Sequence, residues 1–163
     1  MEVWGKFVLV GAIATALMDI QVYLHSKVFH SIPTSCNLTG RWVGMLIKRE
    51  KFTGKITEVN KWAHEGWLGW VGHYAMGIFM VSLFLLIVGE DWIRRPSLLP
   101  LFAYLSVLIL FPFCVLHPAW GFGFFGCKTQ NPIATRKRVL VAYASFAIGI
   151  LVGALIVGRI WGG

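Results

Sequence analysis

The chain has 163 residues, of which 57% are hydrophobic and 13% charged, and its mean hydropathy is +0.70. Soluble domains carry about 25% charged residues, so an ordinary water-soluble core is excluded and lipid is left as the solvent for most of the surface. The net charge of +8 then reads as a topology signal of a membrane protein.

Four runs are almost free of formal charge. Between Lys6 and Lys27 lie 20 residues whose only formal charge is Asp19. Between Glu65 and Glu90 lie 24 uncharged residues, between Arg95 and His117 lie 21, and between Arg138 and Arg159 lie 20. A bilayer core of about 30 Å needs about 20 helical residues to cross it. Backbone groups in lipid must be satisfied within their own element, and these runs lack the alternation of barrel strands. The sequence predicts an all-α, polytopic membrane protein. Residues 1–163 are expected to form a single four-helix transmembrane domain, with spans at about 4–25, 67–88, 96–116 and 139–158 and a short interfacial helix in the first cytoplasmic loop.

In span one, Phe7 to Leu17 resembles a signal-peptide core and Ala14-Thr15-Ala16 a cleavage site; the segment is read as a retained span. Gly11, Thr15 and Asp19 are four apart and share a face. A carboxylate in hydrocarbon costs at least about 2.5–3.5 kcal/mol on the insertion scale, so Asp19 is expected to face a partner or a cavity. Pro33 should break the chain, and Ser35 to Thr39 is turn-like. Leu38, Trp42, Met45 and Leu46 then recur at helical spacing, with Arg41, Lys48 and Arg49 turned toward anionic headgroups. His64, Glu65 and the His25/His30 pair read as surface or headgroup residues.

Trp62, Trp67 and Trp70 mark the entry to span two, where Gly69, His73 and Gly77 are again four apart. Glu90 to Pro96 is an external turn with Trp92 at the interface. Pro112 should bend the end of span three, and Cys114 and His117 are assigned to one face. The glycine- and aromatic-rich stretch 117–126 reads as re-entrant or interfacial. A polar turn with Asn131-Pro132 follows. In span four, Ser145, Gly149 and Gly153 form a small-residue face suited to close packing, and it is the expected contact for a homo-oligomer or a larger membrane complex.

The loop between spans one and two and the loop after span three together hold 11 of the 15 lysines and arginines. The positive-inside rule puts these loops in the cytoplasm and both termini outside, and anionic lipid is the simplest partner for their charge. Nucleic acid is not expected. Cys36 and Cys127 would then face a reducing compartment and stay thiols, whereas the inverted orientation would permit a bridge between them.

Asp19 and His73 each lie about six residues from the cytoplasmic end of their span, roughly 9 Å deep. They are expected to pair and form a polar pocket walled by Trp70, Tyr74 and Gly121 to Gly126, with His117 and Trp120 as further ligand-binding residues. Histidine changes charge near neutral pH, which would make His73 a proton switch. Asp19, His73, His117 and Cys114 include types that bind zinc, but no CxxC or HExxH spacing accompanies them. No hydrolase elbow, phosphate loop or dinucleotide fingerprint is present, and no cofactor is indicated.

Several stretches together carry a resemblance: Gly11 to Asp19, Thr39-Gly-Arg-Trp-Val-Gly44, Gly66-Trp-Leu-Gly-Trp-Val-Gly-His-Tyr74, Arg94-Arg-Pro-Ser-Leu-Leu-Pro100, and Cys127 to Arg136. With these the chain resembles a family of small bacterial membrane proteins catalogued only as a domain of unknown function. The resemblance implies a four-span inner-membrane protein and marks Asp19, His73 and Tyr74. It associates glutamine with the position of His117, a departure here, and supplies no activity. The expected function is non-catalytic: binding or passing a small solute, a proton or a lipid headgroup. A membrane-embedded metalloenzyme using Asp19, His73 and His117, and an accessory subunit in which Asp19 and His73 only join helices, are the alternatives.

Overall fold

A computed structural model describes residues 2–28 and 36–161. Pro33 and His30, singled out above, lie outside the described residues. Among those described, all regular structure is helical, and four helices are long and apolar enough to cross a membrane: α1 (Glu2–Val28), α3 (Glu65–Val88), α5 (Leu98–Ala119) and α6 (Pro132–Trp161). The chain is a multi-pass membrane protein. The described residues also form two shorter α-helices, α2 (Cys36–Lys48), where the amphipathic spacing predicted one, and α4 (Asp91–Arg94), and 3₁₀ turns at Ile56–Glu58 and Phe124–Gly126. Helix α2 begins at Cys36, inside the stretch expected to be turn-like.

The helices outrun the apolar runs that announced them, and local chemistry explains where they begin. Pro132 opens α6, and Asn131 Oδ1 accepts the Ala134 N–H at 3.0 Å. This is a side-chain cap on a proline-started helix, and it carries α6 back to Pro132 through Arg136, Lys137 and Arg138. At the start of α3 the Trp62 N–H donates to Glu65 Oε2 at 3.1 Å while the Glu65 N–H donates to the Trp62 carbonyl at 3.1 Å. That reciprocal pair fixes the first turn.

Helix α5 is not uniform. Pro112 has no N–H to donate, and the chain widens into a π turn over Pro112–Leu116 before closing with His117–Ala119. Such turns are a recognised response to proline inside a helix. The expected bend is therefore present as a change of helical pitch.

The chain divides into two compact units. The first contains residues 1–32, 74–108 and 141–163, and thus α1, most of α3, α4, the first half of α5 and most of α6. Its core is aliphatic and aromatic, built around Val10, Phe84, Leu85, Leu101 and Ile150. Phe84 stacks edge-on against Trp92 at 4.8 Å, and Tyr104 donates its hydroxyl to the Met80 carbonyl at 2.7 Å. Trp92 is buried, and its indole N–H donates to the Ser97 carbonyl at 3.2 Å. The helix α4 turns it inward.

Small residues set how closely these helices approach. A Cβ on Gly11 would stand 2.7 Å from the Ile78 Cα. On Gly149 it would stand 2.6 Å from the Ala14 Cα, and on Gly153, 3.2 Å from the Val10 Cα. Gly149 and Gly153 therefore seat α1 of the same chain. On α1 the facing residues are Ala14 and Val10.

The second unit contains residues 33–73 and 109–140. Its core joins Met45 of α2, Ile56 of the following loop and Trp120, with Leu38, Trp42 and Phe122 packed around them. The two loops meet through the Ile56 N–H, which donates to the Trp120 carbonyl at 3.0 Å.

Candidate functional site

Asp19 lies partly buried in the C-terminal half of α1. Its face is set by the residues one and two turns before it. Thr15 is fully buried and donates its hydroxyl to the Gly11 carbonyl at 2.8 Å. Across the seam Gly77 of α3 leaves the room that Thr15 fills, since a Cβ there would run into the Thr15 hydroxyl. The next turn of each helix beyond this contact carries Asp19 on α1 and Tyr74, also partly buried, on α3. The Gly11–Thr15 line read from the sequence thus packs against Ile78 and Gly77 of α3, and Asp19 continues it, whereas Gly69 packs on Cys36 of α2.

Of the six expected ligand-binding residues, Asp19 and Tyr74 belong to the first unit, and Trp70, His73, His117 and Trp120 to the second. His73 is partly buried, with the exposed Trp70 ring edge-on to it at 6.2 Å.

His117 and Trp120 are both 5% exposed. Among the described residues, neither His117 Nδ1 nor Trp120 Nε1 has a hydrogen-bond partner. Burying a polar group unpaired costs about 1–3 kcal/mol, and most native ones are satisfied. The two rings are 6.5 Å apart, with Phe113 at 5.7 Å and Phe122 at 6.2 Å from the imidazole. The glycine-rich stretch folds over them. Its Phe122 N–H donates to the His117 carbonyl at 2.8 Å, and a Cβ on Gly126 would stand 3.2 Å from His117 Nδ1. Gly121, Gly123 and Gly126 all have positive φ, which glycine adopts without steric cost.

Cys114 does not share the face of His117. It is exposed while His117 is buried, because the π turn between them changes the angle per residue. Among the described residues, no group of three or more His, Cys, Asp or Glu side chains is placed to hold a metal ion.

One polar feature of the second unit was misread from the sequence. Arg41 and Glu65, expected at the surface, are 6% exposed each. Arg41 Nε donates to Glu65 Oε2 at 2.8 Å and Nη2 to Oε1 at 2.9 Å. Nη1 donates to the carbonyls of Ile56 at 3.0 Å and Val59 at 2.9 Å. The hydrogen bond to Glu65 holds the guanidinium above its ordinary pKa. One arginine therefore ties α2, the loop and the start of α3 together with a bidentate fork.

The backbones are drawn close enough for this by two glycines. A Cβ on Gly40 would fall on the Glu65 carbonyl oxygen, and one on Gly69 on the Cys36 carbonyl oxygen. The available signal was the pairing of Gly40-Arg41 with an acid at the mouth of an apolar run. Lys48 stands over the Trp62 ring at 4.9 Å, so a second loop cation is also engaged within the unit.

A family model described as "Protein of unknown function (DUF2938)" matches residues 8–157. No curated protein and no solved structure matches the chain.

Proposed function

This chain belongs to the DUF2938 family, and we propose that it is a non-catalytic bacterial inner-membrane protein that binds or passes a small solute, a proton or a lipid headgroup. The observation that carries the reading is Asp19: the only formal charge in the apolar part of α1, partly buried, on the line that Gly11 and Thr15 press against α3. An acid inside a membrane helix is costly and is normally kept for a pathway or a ligand. Asp19 supplies the ionisable group and Tyr74 a hydroxyl on the facing helix, both within the first unit. The basic loops face the cytoplasm and anionic lipid, and both termini lie outside. The positive-inside count supports that orientation.

The test has two arms on purified wild type and Asp19→Asn. Native mass spectrometry from detergent reads retained small molecules and lipid; dye-loaded proteoliposomes under a pH step read proton flux. The reading expects the wild type to retain a mass, or to pass protons, at a level the variant loses about tenfold. Wild type and variant alike in both arms would overturn it and leave Asp19 as a helix-joining residue.

A further inference from the structure

We infer that His117 and Trp120 form a binding site for an uncharged, carbonyl-bearing lipophile that enters from the bilayer. The inference stands on the second unit alone and does not depend on Asp19. Both side chains are 5% exposed, and both present a ring nitrogen without a hydrogen-bond partner among the described residues. They are three residues apart where α5 ends, so they project to the same side, and the π turn just before them rotates that side inward.

The chemistry of the two nitrogens restricts the occupant. An indole N–H only donates, and a neutral imidazole places a donor on one of its nitrogens. With the proton of His117 on Nδ1, both unpartnered nitrogens donate, and in that tautomer the site asks for an acceptor oxygen. Neighbours of the two rings include Phe113, Phe122, Met45, Ile56 and Gly126, none of which carries a charge, and the Arg41 guanidinium on the Ile56 carbonyl is already paired with Glu65. A carboxylate or phosphate buried there would lack a counter-charge, which is expensive, so a neutral oxygen is selected. Water needs two to four polar partners, and it brings hydrogens that the aromatic walls do not accept. A carbonyl needs donors only, and its apolar remainder suits Phe113 and Phe122. Helix α5 is itself one of the four apolar helices, so such a molecule has a path along lipid. Two sources share this chemistry: a membrane quinone and the acyl ester of a lipid.

The experiment uses full-length protein in detergent, with ubiquinone-1 and monoolein as probes and the thermal midpoint as readout. A ligand that binds only the folded state raises that midpoint with concentration. Trp120→Phe keeps a ring and removes the N–H; His117→Leu removes the imidazole; Ile148→Ala, at an exposed position of α6 in the first unit, is the outside control. The inference expects a saturable rise with at least one probe in wild type and Ile148→Ala, reduced at least tenfold in apparent affinity in Trp120→Phe and His117→Leu. A response to ubiquinone-1 alone assigns the quinone source, and one to monoolein alone the ester source. No response to either probe, or equal responses in all four proteins, overturns the inference and leaves the two nitrogens to water. Should neither variant accumulate, hydrogen exchange of wild type with and without ubiquinone-1 or monoolein decides. Protection of the backbone over 117–128 with either probe is expected, and unchanged exchange with both is the contrary result.

Discussion

At the scale of single residues, the Arg41–Glu65 pair shows how far a charge can be from what its place in the chain suggests. A guanidinium and a carboxylate taken out of water are costly apart and tolerable together, and removing one partner typically costs about 3–5 kcal/mol while replacing both with apolar groups is often neutral. Arg41→Ala or Glu65→Ala alone should thus sharply lower the thermal midpoint. The double change Arg41→Met with Glu65→Leu should recover most of the loss. If the double variant is as unstable as the worse single one, the four hydrogen bonds of the guanidinium matter more than its charge balance. The two residues are 24 apart and each looks like an ordinary loop charge, which is why the pairing was not legible. Asp19 stands out in the sequence for the opposite reason: an acid alone in an apolar run has no ordinary explanation.

At the scale of elements, apolar length alone placed all four long helices, because the bilayer imposes it. Their ends were less legible, because caps set them. Asn131→Ala should remove the α6 cap and cost about 0.5–2 kcal/mol, read as a lower thermal midpoint. Amide exchange should rise over the first turn of α6 and nowhere else.

Small-residue spacing on α6 was visible, but spacing cannot say whether the facing helix belongs to the same chain. Within this chain Gly149 packs on Ala14. In lipid, helix association rests on packing rather than on leaving water, so overfilling this seam is felt directly. Gly149→Leu should destabilise the fold by at least about 1–3 kcal/mol. Gly72→Ala, where an added Cβ would meet nothing within 4 Å, should be nearly neutral. A Gly149→Leu protein that folds as well as wild type and merely changes oligomeric state would return the face to an intermolecular role. The π turn in α5 was half legible: Pro112 announces a disturbance, but not that it would separate Cys114 from His117.

At the scale of the whole molecule, a multi-pass membrane protein with an acid on a helix seam is the frame into which the rest fits. Orientation is tested by Cys127, exposed in the second basic loop. In a Cys36→Ser, Cys114→Ser background, a membrane-impermeant maleimide should label it in inside-out vesicles and not in intact spheroplasts. Labelling from the outside would invert the topology. The central claim is that Asp19 faces a polar, water-reachable site rather than acyl chains or a sealed joint. It is tested most directly by placing a cysteine at positions 19 and 20 in a background with Cys36, Cys114 and Cys127 all changed to serine. A thiol reacts with a small charged methanethiosulfonate only where water lets the thiolate form. Ile20 is 53% exposed on the outer face of α1, so Ile20→Cys should stay unreactive among lipid, while Asp19→Cys should be modified rapidly. An unreactive Asp19→Cys, or equal rates at both positions, would contradict the account.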